Sequence, residues 1–186
     1  MVKTQPMPAN RETPRRSAPP VVVVMGVTGA GKTTVGRPLA EALGADFIEG
    51  DDLHTEAARA KMGAGIPLDD SDRWPWLDRV AEALRERAQG RGAVVACSAL
   101  RRAYRERLRA GVGPALRFVY LKAEPDPMRA RVAARRGHYM PASLVDSQFA
   151  TLEPPEGEAD VVTMPADADL DTAIPELVAK LGGVAG

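Results

Sequence analysis

The feature that most constrains the fold is a glycine-rich run of eight residues that stands between an apolar run and a helical pattern. Residues 21–25 are four valines and a methionine, as expected of a parallel strand that is covered on both faces. A helix is predicted to follow over residues 31–43. Strand, glycine-rich turn and helix in this order predict a loop whose N–H groups surround a phosphate at a helix N-terminus. The run satisfies the pattern G-x-x-x-x-G-K-[ST] and reads Gly26-Val27-Thr28-Gly29-Ala30-Gly31-Lys32-Thr33.

This loop is predicted to bind a nucleoside triphosphate together with Mg²⁺, and by itself it does not distinguish a kinase from a GTPase or an ATPase. Lys32 is expected to be an exposed cation in the free protein, to reach the β- and γ-phosphates, and to be catalytic. The Thr33 hydroxyl is expected to ligate Mg²⁺. The residues predicted to bind the nucleotide are Gly26, Val27, Thr28, Gly29, Ala30, Gly31, Lys32, Thr33 and Thr34.

The rest of the chain alternates short apolar runs with helical patterns. Such alternation predicts an α/β fold in which helices cover both faces of a parallel sheet. The cap of the helix that contains residues 77–88 is expected at Ser71 or Asp72. Further strands are predicted at residues 46–49, 93–97, 115–121 and 161–164, and further helices at residues 101–109, 125–135 and 170–181.

The composition favours one ordered domain and excludes several classes of partner. The 186 residues fit one domain at 20–186, while residues 1–19 carry four prolines and almost nothing to bury, which predicts a disordered tail. The formal net charge is zero, so no global field favours nucleic acid or a membrane surface. Cys97 is the only cysteine and is expected to be buried and inert. Without a signal peptide or a span in the sequence, a cytoplasmic protein is predicted.

An acidic motif after the predicted second strand favours a kinase over other proteins with such a loop. Guanine-specific switches need an N-K-x-D segment, but the only asparagine is Asn10. The predicted second strand instead ends in Glu49-Gly50-Asp51-Asp52. Two acids spaced one apart on an extended strand point the same way, so Glu49 and Asp51 are expected to face the mouth of the loop. One can hold Mg²⁺ and its water, and the other can accept a hydroxyl proton.

Several separated blocks are more specific than the loop. With them the chain resembles the small P-loop gluconokinases, which are related in fold to shikimate and nucleoside monophosphate kinases. Two departures are Thr55, where the family commonly has Pro, and Ala58, where it commonly has Asn. The blocks are Glu49-Gly50-Asp51-Asp52-Leu53-His54, Lys61-Met62, Gly65-Ile66-Pro67-Leu68, Asp72-Arg73-Trp74-Pro75-Trp76-Leu77, Cys97-Ser98-Ala99-Leu100-Arg101-Arg102 with Tyr104-Arg105, Phe118-Val119-Tyr120-Leu121, Gly137-His138-Tyr139-Met140, and Leu144, Gln148-Phe149 and Leu152-Glu153-Pro154.

The resemblance implies a reaction and an architecture. The reaction is transfer of the ATP γ-phosphoryl group to O6 of D-gluconate, which gives 6-phosphogluconate. The architecture is a three-layer sandwich around a five-stranded parallel sheet in the order 2-3-1-4-5, with a mobile lid. A homodimer is expected, because many members of the family are homodimers.

The chemistry of the acceptor suggests which residues bind it. A buried carboxylate favours a bidentate guanidinium, so Arg73 is the first candidate and Arg101 or Arg102 the second. Asp51 is the candidate for orienting and deprotonating the attacking hydroxyl, and is therefore both catalytic and substrate-binding. His54 is expected to hydrogen-bond the polyol. Ser98, at the carboxyl end of a strand, is expected to reach the substrate or a water on Mg²⁺.

A basic segment later in the chain is the candidate lid. Arg131 and Arg135 are four apart and share a helix face, so they are predicted to close over the phosphates and stabilise charge in the transition state. His138 is placed with the substrate-binding residues, with capping of the lid as the alternative. Two rival functions stay open: a P-loop kinase for shikimate, adenylylsulfate or a nucleotide, and a nucleotide-binding regulatory protein without an acceptor.

Overall fold

A computed structural model of the chain describes residues 19–64, 66–134 and 142–182. Residues 1–18 of the predicted tail, and the predicted site residues Arg135 and His138, lie outside the described residues. Over the described part, no helix is both long and apolar enough to cross a membrane.

Strands and helices alternate along the chain as predicted. The strands are β1 (Val21–Met25), β2 (Asp46–Glu49), β3 (Ala93–Ala96), β4 (Leu116–Lys122) and β5 (Val161–Pro165). The helices are α1 (Lys32–Leu43), α2 (Glu56–Gly63), α3 (Asp70–Ala88), α4 (Arg102–Val112), α5 (Pro125–Ala134), α6 (Ala142–Thr151) and α7 (Leu170–Gly182), with a 3-10 turn at Gly50–Leu53.

All five strands are parallel and lie in the order β2-β3-β1-β4-β5, which confirms the predicted sheet. β1 is the central strand, and each of its five residues is buried. The carboxyl ends of parallel strands meet at one edge of a sheet, where α/β proteins place their ligands. This edge therefore brings together the glycine-rich loop after β1, Glu49 at the end of β2 and Ser98 after β3.

Two apolar layers, one on each face of the sheet, confirm the three-layer sandwich. Val21, Val23 and Met25 of β1 pack with residues of α3 and α4 such as Leu84 and Leu108. The intervening Val22 and Val24 pack on the other face, with residues of α1, α5 and α7. The continuous valine run follows from this position, because a central parallel strand has no face that is exposed to water.

The start of α3 differs from the prediction. The N-cap is Asp69, not Ser71 or Asp72. The Asp69 carboxylate accepts a hydrogen bond from the Asp72 N–H at 3.1 Å, and the Asp72 carboxylate accepts one from the Asp69 N–H at 3.1 Å. This reciprocal capping box satisfies two backbone donors at the helix start. Asp72 is thus part of the cap, but from inside the helix.

Candidate active site

The glycine-rich loop connects β1 directly to α1. Gly26 and Gly31 have φ angles of 148° and 91°, in the region that favours glycine. A Cβ on Gly26 would lie only 3.1 Å from the Leu121 carbonyl oxygen of β4, so this position also needs the missing side chain. Gly31 immediately precedes α1, whose first N–H groups have no partner within the helix. The loop thus presents backbone donors and the positive end of a helix dipole to an anion.

Lys32 is half-buried, and the prediction of an exposed loop cation is wrong. It is the first residue of α1, and its Nζ donates to the carbonyl oxygens of Gly26 and Val27, at 3.1 Å each. The ammonium group therefore lies across the loop that would hold the phosphates. A triphosphate would offer it stronger, charged acceptors than these carbonyls.

Thr33 and Glu49 lie together, as the predicted metal site requires. The Thr33 hydroxyl donates to Glu49 Oε2 at 2.8 Å, which joins α1 to the end of β2. Among the described residues, no cluster of three or more His, Cys, Asp or Glu side chains could hold a metal. Mg²⁺ in kinases commonly has only one or two protein oxygens and takes its other ligands from phosphates and water. A hydroxyl and a carboxylate beside the phosphate loop fit that ligand set.

The prediction that Glu49 and Asp51 point the same way from one extended strand is wrong. β2 ends at Glu49, and Asp51 belongs to the 3-10 turn Gly50–Leu53, so the two acids do not alternate on one strand. A Cβ on Gly50 would lie 2.2 Å from the Ala96 carbonyl oxygen, so the chain turns tightly against the end of β3. The Asp51 side chain is 77% exposed at the same edge of the sheet. It is accessible to a substrate, whereas Glu49 is already paired.

His54 is buried and packs flat on Trp76, with ring centroids 4.3 Å apart and an interplanar angle of 13°. Its Nε2 lies 3.9 Å from Asp51 Oδ1, and its Nδ1 finds no hydrogen-bond partner among the described residues. Burial lowers the pKa of His54, and Arg73 acts in the same direction against the opposing effect of Asp51. The Trp76 indole N–H donates to the Gly50 carbonyl at 2.7 Å. His54 and Trp76 therefore attach the turn that carries Asp51 to α3.

The two arginines proposed for the acceptor carboxylate converge on Tyr104. Arg73 donates to the Tyr104 hydroxyl at 3.0 Å, and this hydroxyl donates to Asp70 at 2.6 Å. Arg101 pairs with the same carboxylate at 3.2 Å. Both guanidinium groups lie over the Tyr104 ring, at 5.6 and 5.7 Å from its centroid. We call Asp70, Arg73, Arg101 and Tyr104 the tyrosine cluster; it holds two cations and one carboxylate.

The remaining predicted residues have different positions. Arg102 is largely exposed, pairs with Glu106 at 3.6 Å, and does not belong to the tyrosine cluster. Ser98 lies beside the phosphate loop, where its carbonyl accepts a hydrogen bond from the Gly26 N–H at 3.3 Å. Arg131 is exposed on α5 and donates to the Ala166 carbonyl at 3.3 Å, so in this structure its guanidinium contacts the segment after β5.

Two residues of the site had no assigned role in the sequence. Tyr104 orients the arginines, and Gln148 of α6 accepts a hydrogen bond from the Thr28 N–H of the phosphate loop at 2.7 Å. Both occur in the sequence blocks that resemble the gluconokinases. The sequence carries no signal of the partner, since Gln148 and Thr28 are 120 positions apart.

Comparison with known proteins agrees with this geometry. A family model described as an AAA domain matches residues 21–155. A gluconokinase of Gluconobacter oxydans is 45% identical over 90% of this chain and 94% of its own length. A probable gluconokinase of Xenopus tropicalis is 40% identical over 84% of this chain and 90% of its own length. The crystal structure of a gluconokinase from Sinorhizobium meliloti superposes with a TM-score of 0.80 at 44% identity, covering 91% of this chain and 95% of that one.

The phosphate loop at the carboxyl edge of a 2-3-1-4-5 parallel sheet, together with these matches, defines a P-loop kinase, a class that uses ATP. Within that class the chain belongs to the gluconokinase family.

Proposed function

We propose that this protein transfers the γ-phosphoryl group of ATP to O6 of D-gluconate, giving 6-phospho-D-gluconate and ADP. The observation that carries this acceptor is the tyrosine cluster. Arg101 is paired with Asp70, while Arg73 has a hydroxyl as its partner and no carboxylate within ion-pair distance among the described residues. Arg73 is therefore the better candidate to bind the gluconate carboxylate, with Tyr104 fixing its orientation.

The phosphoryl transfer needs few covalent steps from the protein. The bond between O6 and the γ-phosphorus forms while the bond from that phosphorus to the β,γ-bridging oxygen breaks. Asp51 is proposed to accept the hydroxyl proton, since it is exposed at the carboxyl edge of the sheet. His54 and Ser98 are proposed to contact the acceptor, since His54 directly follows the turn that carries Asp51 and Ser98 lies beside the phosphate loop.

The nucleotide is proposed to lie along residues 26–34, with Lys32 on its β- and γ-phosphates. Thr33 and Glu49 would hold Mg²⁺, directly or through water, and the ion would neutralise charge on the phosphate oxygens. Arg131 and Arg135 are proposed to stabilise the charge of the transferring group, and His138 to bind the acceptor. The support for Arg131 is that it shares α5 with Met128 and Val132, which lie against Gly29 of the loop.

We further propose that residues 20–186 form one domain that acts as a homodimer in the cytoplasm. The two apolar layers of the described residues share the single sheet, which supports one domain. Light scattering of the full chain would contradict the dimer if it gave the mass of one chain, 19.8 kDa.

An acceptor panel tests the reaction. With Mg-ATP, release of ADP is measured with D-gluconate, shikimate, a nucleoside monophosphate, or no acceptor. We expect D-gluconate to be strongly preferred and the product to be 6-phosphogluconate. A better rate with another acceptor would overturn the substrate, and ATP turnover that ignores every acceptor would overturn the kinase reaction.

A variant of Arg73 tests whether this residue binds the gluconate carboxylate. Arg73→Met should raise the KM for gluconate by about tenfold to a hundredfold, as expected when a charged hydrogen bond to a carboxylate is lost, with little change in the KM for ATP. Arg85→Met is the matched control, because Arg85 is exposed on the same helix. A gluconate KM that does not change in Arg73→Met would exclude Arg73 from the carboxylate site.

A further inference from the structure

Thr28, in the first half of the phosphate loop, is held by a residue from a distant part of the chain. The backbone N–H of Thr28 donates to Gln148 Oε1 at 2.7 Å. This contact is short and joins the turn after β1 to α6, 120 residues later. A loop amide whose direction is fixed by an external acceptor costs less to order when a nucleotide binds.

The surrounding packing shows that α5 and α6 approach the loop as one unit. A Cβ on Gly29 would lie 3.2 Å from Val132 Cγ2 of α5. Val145 of α6 is fully buried in the same apolar layer as Val132. Arg129 of α5 pairs with Asp146 of α6 at 2.6 Å. Gln148 is therefore presented to the loop by two helices that are packed together and paired by charge.

The chemistry of the carboxamide suits a site beside phosphates. Its oxygen accepts the Thr28 N–H and carries no net charge. A carboxylate of the same length would also accept this hydrogen bond, but it would add a negative charge close to the bound triphosphate. An apolar side chain would leave the N–H without this acceptor.

We propose that Gln148 is a positioning residue for ATP, acting through Thr28 to hold this part of the phosphate loop in the conformation that binds the nucleotide. The proposal rests on nucleotide binding by the loop and is independent of the acceptor. With Gln148, helix α6 joins the elements that determine the affinity for ATP.

Two substitutions with side chains of nearly equal size separate the loss of the hydrogen-bond acceptor from the addition of a charge. Gln148→Met removes the acceptor, and the dissociation constant for a non-hydrolysable ATP analogue should rise about tenfold. Gln148→Glu keeps the acceptor but adds charge, and the dissociation constant should rise more, by about a hundredfold at low salt. Because the second effect is electrostatic, added salt should reduce it, whereas the effect of Gln148→Met should persist.

Calorimetric titration with the analogue gives these constants without relying on phosphorylation of gluconate, so a failure of the proposed acceptor leaves this test intact. Ser147→Ala is the control, since Ser147 is exposed on α6 and its hydroxyl donates to the Leu144 carbonyl of that helix. In steady-state assays the KM for ATP should rise in both Gln148 variants while that for gluconate stays near the wild-type value. Analogue affinities within about twofold of wild type in both variants, or equal losses for both substrates, would overturn the proposal.

Discussion

Glu49 and Asp51 are separated by one residue, yet their surroundings differ. Glu49 accepts a hydrogen bond from Thr33, whereas Asp51 is exposed on the 3-10 turn. The two roles proposed for these acids therefore differ: Glu49 would hold a metal beside the phosphates, and Asp51 would accept the proton of the incoming hydroxyl.

Replacing Asp51 with Asn tests whether it acts as a base. Asn keeps the size but removes charge and basicity, so kcat should fall by roughly 10²- to 10⁴-fold, with a small change in the KM for gluconate. Asp52→Asn is the matched control, because Asp52 is the exposed neighbour in the same turn. Steady-state kinetics of both variants decides: a raised KM with an unchanged kcat would make Asp51 a substrate-binding residue instead.

Glu49→Gln should behave differently from Asp51→Asn. If Glu49 holds Mg²⁺, part of the rate that this variant loses should be restored by excess Mg²⁺.

His54 links the site to the stability of the fold. Burial lowers its pKa below the ordinary value of 6.5, so the unfolded chain binds the proton more tightly than the native protein does. Between the lowered pKa and 6.5 the unfolded state therefore holds more protons. The stability that neutral His54 contributes is complete above pH 6.5 and is lost as the pH falls toward its native pKa.

Denaturant unfolding at pH 7.5 and pH 5.5 measures this effect. The free energy of unfolding of the wild type should decrease more on acidification than that of His54→Gln, which has no imidazole to protonate. The difference between the two proteins removes the contribution of all other titrating groups. An identical decrease in both would show that His54 does not carry this pH dependence.

At the scale of elements, the loop from β3 to α4 is held by the segment before β5. Ala99 in this loop has a φ of 44°, which is unfavourable for a side chain with a Cβ. Arg105 is buried and donates to the carbonyls of Ala99 and Leu100, at 3.1 Å each. The same guanidinium pairs with Glu158 at 2.6 Å. This bracing fixes the loop that carries Ser98 to the edge of the sheet.

Removing Arg105 should destabilise the whole domain. Arg105→Met leaves the carbonyls of Ala99 and Leu100 without these donors, while Arg109 still pairs with Glu158, so the free energy of unfolding should fall by about 2–4 kcal/mol. Arg102→Met, on an exposed position of the same helix, should change it by less than about 0.5 kcal/mol. Equilibrium denaturation compares them, and a loss below 1 kcal/mol in Arg105→Met would contradict the bracing role. The KM for gluconate should also rise, because Arg101 follows the same loop.

Helices α2 and α6 show the limits of pattern reading. α2 has eight residues and buries only Ala58, so it lacks the apolar stripe that predicts a helix. Its start depends on Thr55, whose side chain accepts the Ala58 N–H at 3.1 Å. The two departures from the family pattern are thus the cap of this helix and its buried residue. α6 follows a segment outside the described residues, and the sequence offered no alternation that separated it from a loop.

For the molecule as a whole, neighbours in sequence were easier to predict than partners in space. The loop from Gly26 to Thr33, its preceding strand and its following helix are joined covalently, so their spacing alone predicted a phosphate site. The sheet order came from the family resemblance and is confirmed. The tyrosine cluster joins α3 to the segment that begins α4, and a sequence cannot show which hydroxyl lies between two arginines. Likewise, the sequence does not show that the loop turns the Gly26 and Val27 carbonyls toward the Lys32 ammonium group and that Lys32 is half-buried there.

Cys97, the only cysteine of the chain, lies fully buried after β3, and burial raises the pKa of its thiol to about 12. At neutral pH the thiolate that alkylating reagents attack is therefore almost absent. A cysteine placed on the surface would consequently be labelled alone, with no need to remove the native one. Ser147→Cys on α6 would put one fluorophore beside the Gln148 contact, where its emission could report nucleotide binding in real time.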